Sequence, residues 1–115
     1  MQYLLMIYGN EANMQKATPA DTSQTLAAYG AYTQALQAAG VMVGGERLQP
    51  TGAATTVRLT GGKTAVLNGP YADTREQLGG YYMIEVPDLD AAISWAARCP
   101  GAAYGAVEVR PVWAM

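Results

Sequence analysis

The amino-acid sequence predicts an α+β fold in which two helices cover one face of an antiparallel sheet and leave the other face apolar. Three observations predict it. Strand-like and helix-like patterns follow one another as strand, helix, strand, hairpin, strand, helix, strand. Each helical pattern carries a single apolar stripe, so each helix has one covered face. The strand patterns at 3–8 and 81–86 are apolar at both alternations, the mark of a strand covered above and below.

Residues 3–8 run Tyr, Leu, Leu, Met, Ile, Tyr, and 9–17 read as a polar loop. Thr18-Pro19-Ala20-Asp21 opens a helix, with Thr as N-cap, Pro at the first turn and an acid placed to answer the cap. That helix is expected to reach about Ala39 and stop at Gly40, with Leu26, Tyr29, Thr33 and Leu36 as its stripe and Ala28, Ala35 and Ala39 allowing close approach. Val41-Met42-Val43 starts a second strand, in which Gly44-Gly45 suggests a bulge before Glu46-Arg47-Leu48 and the stop at Pro50. Gly61-Gly62 between two β-rich runs reads as a two-residue primed turn. It pairs Val57 with Val66 and Leu59 with Thr64 on one face, and puts Arg58 and Ala65 on the other.

Asn68-Gly69-Pro70-Tyr71 then breaks the strand. Asp73-Thr74-Arg75-Glu76 is expected to cap one helical turn closed by Gly79-Gly80, ahead of the strand at 81–86. Pro87-Asp88 opens a second helix with the stripe Leu89, Ala92, Ile93, Ala96 and Ala97, which places Trp95 on the opposite face. The last strand, about 105–113, sets Val107, Val109, Pro111 and Trp113 against Glu108 and Arg110. This order matches a ferredoxin-like βαβ(ββ)βαβ sandwich. Two helices cover one face only, and Met6, Met42 and Met83 with Leu4 and Tyr8 are assigned to the other. Each apolar side chain left wet forfeits about 1.5–3 kcal/mol, so a second copy laid sheet to sheet is the expected cover, giving a two-fold homodimer.

Composition narrows the functions. A chain of 115 residues is expected to form one domain, 1–115. Half of it is hydrophobic and 14% is charged, which argues against disorder. A net charge of −2 with scattered cations gives nucleic acid no stripe to follow. The N-terminal apolar run is too short for a membrane span or a signal peptide, which makes the cytoplasm the expected location. The sequence holds no histidine and one cysteine, Cys99. That removes the commonest general base and the commonest metal ligand together, excludes Ser-His-Asp and Cys-His arrangements, and argues against a zinc or copper site. No metal and no cofactor are expected.

Several stretches, in order along nearly the whole chain, resemble the YCII-related family and within it the DGPF branch. They are the strand at 3–8 followed by Gly9, Ala39-Gly40-Val41 leading to Gly44-Gly45-Glu46-Arg47-Leu48, and Asn68-Gly69-Pro70-Tyr71. Leu78-Gly79-Gly80-Tyr81-Tyr82, Pro87-Asp88-Leu89-Asp90-Ala91-Ala92, Cys99-Pro100-Gly101 and Val107-Glu108-Val109-Arg110-Pro111 complete the set. The resemblance implies a dimeric α+β barrel of two ferredoxin-like protomers with a cleft between sheet and partner. It also implies a His-Asp pair suited to acid–base chemistry, and this chain departs there. It has no histidine, and the branch's Asp-Gly-Pro-Phe is here Asn68-Gly69-Pro70-Tyr71. An amide exchanges no proton near neutral pH, so Asn68 is no general base.

The candidate ligand-binding residues are Tyr8, Arg58, Asn68, Tyr71 and Tyr81. With Tyr82, the tyrosines among them lie on segments that can border one cleft, where a phenol offers apolar area and one hydrogen-bond donor. The same tyrosines also suit a core or an interface, Asn68 suits a turn, and Arg58 suits a solvated strand. Glu46, re-aimed by the Gly-Gly bend or else in a surface pair with Arg47, and Glu85, mid-strand among apolar residues, are the carboxylates an enzyme would use. Glu76 suits a capping box with Asp73. Cys99 reads as structural at a helix end that disfavours a thiolate. The candidate functions are a small-molecule binding module, a cofactor-independent enzyme of proton-transfer, elimination or isomerisation type, and a structural or regulatory subunit.

Overall fold

The computed structural model describes residues 1–114. Strands β1 (Gln2–Gly9), β2 (Met42–Arg47), β5 (Gln77–Glu85) and β6 (Ala106–Pro111) form an antiparallel sheet in the order β2-β5-β1-β6. Helices α2 (Pro19–Ala38) and α3 (Leu89–Arg98) make the two crossovers, β1 to β2 and β5 to β6. The ferredoxin-like α+β reading therefore holds. Strands β3 (Thr55–Thr60) and β4 (Lys63–Asn68) form a separate two-stranded hairpin between β2 and β5.

Alternation decides the core. Tyr3 and Leu5 of β1, Tyr82 and Ile84 of β5, and the half-buried Val107 and Val109 of β6 turn toward the helices. They meet Tyr32 and Leu36 of α2, Ala92 and Ala96 of α3, and Cys99. Tyr32 stacks edge-on against Tyr82 at 5.2 Å and against Trp95 at 6.3 Å. Its hydroxyl donates to the Trp95 carbonyl at 2.7 Å, while the Tyr82 and Thr33 hydroxyls share a 2.7 Å hydrogen bond. Buried phenols thus keep their polar ends satisfied.

Several sequence features appear as expected. Thr18 and Asp21 form a reciprocal capping box at the start of α2. The bulge in β2 falls between Met42 and Gly44. The hairpin pairs Val57 with Val66, Leu59 with Thr64 and Arg58 with Ala65. Its turn glycines take φ of 57° and 79°, a left-handed pair that glycine adopts without a Cβ penalty.

Other expectations are corrected. The segment after β1 is a short helix, α1 (Glu11–Gln15), with Asn10 as N-cap. Residues 73–76 form no helical turn, and Glu76 makes no capping box; β5 starts at Gln77 and runs through both Gly79 and Gly80. Of the expected helix stripes, Leu36, Ala92 and Ala96 are buried and Tyr29 and Thr33 half-buried, but Leu26, Leu89, Ile93 and Ala97 are exposed, and α2 also buries Tyr32. Trp95 is half-buried against Tyr32, with the Arg98 guanidinium 4.3 Å from its ring. Met42 pairs with Ile84 and packs on the helix side of the sheet, not on the open side. A four-residue helix, α4 (Gly101–Tyr104), precedes β6.

Burial pushes the Tyr29 and Tyr32 phenols well above the ordinary tyrosine range, and the neighbouring Cys99 sulfur adds to it. Burial pushes the Cys99 thiol up as well. An acid whose folded pKa is raised stabilises the fold fully below its unfolded pKa, and that contribution is lost as pH climbs above it. Stability is therefore expected to be flat to about pH 8, to begin falling as the unfolded-state thiol ionises near about pH 8.5, and to fall more steeply beyond about pH 10, by about 1.4 kcal/mol per pH unit for Tyr32 alone. Urea midpoints at pH 8, 10 and 11 check this. Tyr32→Phe should flatten the slope, and a midpoint unchanged to pH 11 would contradict it.

Candidate functional site

The face of the sheet turned away from the helices carries one set of candidate side chains. Directly opposed residues share a face, so Glu46, Tyr81, Met6 and Glu108 form one row across β2, β5, β1 and β6. Gly44, Met83, Leu4 and Arg110 form the next row. Tyr8 lies one alternation beyond Met6, diagonal to Tyr81, within reach for long side chains. Leu4, Met6, Tyr8, Tyr81 and Met83 are all half-buried, and among the described residues none of them belongs to the core packed against the helices. Their rim is charged. Arg110 pairs with Glu108 at 2.6 Å. Glu85, at the far end opposite Gln2, is exposed and lies 3.4 Å from the N-terminal amine. Glu46 is exposed and pairs with neither Arg47 nor any other cation among the described residues.

The hairpin carries the second set. The Arg58 guanidinium sits 5.3 Å from the centre of the Tyr71 ring, an exposed cation–π contact. Both border a concavity of about 270 Å³ with Thr56, Ala65 and Leu67. Asn68 pairs with Thr55 and so belongs to the opposite hairpin face, with Val57 and Val66. Arg58 and Asn68 therefore do not converge in one chain. Tyr82 also leaves the group, since it faces the helices and binds Thr33.

One functional feature was not anticipated. The Glu11 carboxylate accepts from the Thr51 amide and the Thr51 hydroxyl, both at 2.8 Å. The Glu11 amide in turn donates to the Gln77 side chain at 3.0 Å. Thr51 lies just before β3, so Glu11 fixes the root of the hairpin to the start of β5. Asn10-Glu11, an N-cap followed by a first-turn acid, signals the short helix that carries Glu11 but not its reach to Thr51. A further concavity of about 280 Å³ lies between α3 and β6, but Ile93, Ala96, Ala97, Ala102, Val107 and Val109 give it no side chain able to orient a polar ligand. No helix among the described residues is long and apolar enough to cross a membrane.

The model of the YCII-related domain matches residues 1–115. The chain belongs to the YCII-related family. An uncharacterized protein of Rhizobium meliloti (strain 1021) is 33% identical over 114 residues, spanning 97% of this chain and 92% of the relative. Among solved structures, 5-chloro-2-hydroxyhydroquinone dehydrochlorinase from Burkholderia phenoliruptrix AC1100, in complex with 2,5-dihydroxybenzoquinone, aligns with a TM-score of 0.59 at 16% identity. That alignment covers 98% of this chain and 94% of the other, and likeness at such identity is one of fold. Within the YCII-related fold, the open sheet face of this member presents phenols, thioethers and unpaired carboxylate and no imidazole.

Proposed function

We propose that this YCII-related protein binds a small, planar, hydroxylated ring compound on its open sheet face, within a homodimer formed through that face. The observation that carries the reading is the pair of half-buried phenols, Tyr8 and Tyr81, set diagonally over an apolar floor of Leu4, Met6 and Met83. Phenols over such a floor supply stacking area and hydrogen-bond donors to ring oxygens. A protein of the same fold binding 2,5-dihydroxybenzoquinone supports that ligand class. The homodimer supplies the second wall, because one protomer leaves the floor uncovered. The chain holds no histidine, and Glu46 and Glu85 are exposed at the edge of this floor, which favours binding over catalysis.

The test is calorimetric titration with 2,5-dihydroxybenzoquinone and a series of hydroxylated benzoquinones and hydroquinones. Saturable binding is expected, weakened by Tyr81→Ala about tenfold or more, which is 1.4 kcal/mol. Tyr104→Phe, on the exposed end of α4, should leave affinity unchanged. No heat of binding across the series would sink the proposal.

A further inference from the structure

We propose that the β3–β4 hairpin of one protomer closes over the open sheet face of the other, so that each site joins Glu46, Tyr8 and Tyr81 of one copy to Arg58 and Tyr71 of the partner subunit. This rests on the homodimer proposed above. Within one chain Glu46, Tyr8 and Tyr81 belong to one sheet and Arg58 to the other, with Tyr71 just after it, so the site is incomplete without the second copy.

The hairpin has no body of its own to lie on. Leu59 and Val66 are 74% and 62% exposed, and Val57 and Leu67 are nearly as bare. The chain measures 47 × 43 × 19 Å with a radius of gyration of 16.0 Å. A compact chain of this length would have about 13 Å, so the arm stands away from the core. On the Arg58 face of the arm, Leu67 and the Tyr71 ring are 61% and 76% exposed, apolar area that a partner surface would cover.

Charge selects that surface. Residues 55–68 contain Arg58 and Lys63 and no acid. The open sheet face carries Glu46, Glu85 and Glu108 against a single Arg110. Glu108 and Glu85 already have cations beside them, whereas among the described residues Glu46 has no cation and Arg58 no carboxylate beside it. An arm laid across the partner's sheet with its Arg58 face down brings these two unpaired charges together and sets Tyr71 opposite Tyr81. The Glu11–Thr51 clasp holds the arm at its root, which lowers the entropy lost on docking.

Sedimentation equilibrium on a charge swap tests the placement. Arg58→Glu and Glu46→Arg should each weaken dimerisation at least about tenfold, and the double variant should recover most of the loss. Both positions are exposed in the protomer, so circular dichroism should stay native. Dimeric wild type with singles that dimerise equally well would overturn the hairpin placement and leave the sheet-to-sheet dimer standing. Singles that weaken the dimer without recovery in the double would overturn the Glu46–Arg58 pairing and this placement with it. A monomeric wild type would overturn both proposals.

Discussion

Replacing Gly105 by alanine is expected to cost more than about 3 kcal/mol of stability, enough to leave a marginal domain largely unfolded. Gly105 joins α4 to β6 beneath the end of β1. A Cβ there would overlap the Tyr8 carbonyl oxygen, lie 3.1 Å from the Tyr8 carbonyl carbon and 3.2 Å from a Glu76 carboxylate oxygen. A side chain could swing aside, but the Tyr8 backbone pairs with Leu78 on one side and Ala106 on the other. Moving it unpairs the centre of the sheet. The same shift would tilt Tyr8, so any surviving protein should also bind ring ligands less well. Urea unfolding of Gly105→Ala beside Gly30→Ala is the check, since Gly30 sits in α2 with nothing within 4 Å of its added Cβ. Equal midpoints would mean that β1 and β6 slide apart at little cost.

How much of this was legible in the sequence follows from where local chemistry rules. The hairpin register was readable to the residue because a Gly-Gly turn fixes it without help from the rest of the chain. The start of α2 was readable for the same reason, through Thr18 and Asp21. The buried faces of the helices were legible only in part. Leu36, Ala92 and Ala96 are buried as their spacing implies, but in α3 burial goes only to the small residues, which admit the rings of Tyr32 and Trp95, so the larger Leu89 and Ile93 stay outside. Gly79-Gly80 looked like a breaker, yet a Cβ at Gly80 would lie 2.9 Å from the Glu46 carbonyl oxygen, so this glycine serves the close approach of β2 to β5. On the open face, alternation placed Leu4, Met6, Tyr8 and Met83, while Glu46 joins Tyr81 there only through the pairing of β2 with β5. The direction of the hairpin depends on Glu11 reaching Thr51, 40 residues away, and no local pattern encodes such a contact.

Met6→Glu is expected to abolish the proposed homodimer at micromolar concentration while leaving the protomer folded. Met6 lies at the middle of the open face, opposite Tyr81 on one side and Glu108 on the other. Its side chain points away from the helical core, so a carboxylate there remains solvated in a free protomer. In a two-fold interface every substitution counts twice. Two new carboxylates would be taken out of water, each without a cation, beside Glu46 and Glu108 in the same row. An unpaired charge in an interface costs several kcal/mol, so the dissociation constant should rise by about a hundredfold or more. Light scattering over a dilution series reads this directly. A Met6→Glu protein that still sediments as a dimer would place the interface elsewhere. The exposed Leu89 and Ile93 on α3, beside the aliphatic groove against β6, would then be the apolar surface that demands a cover.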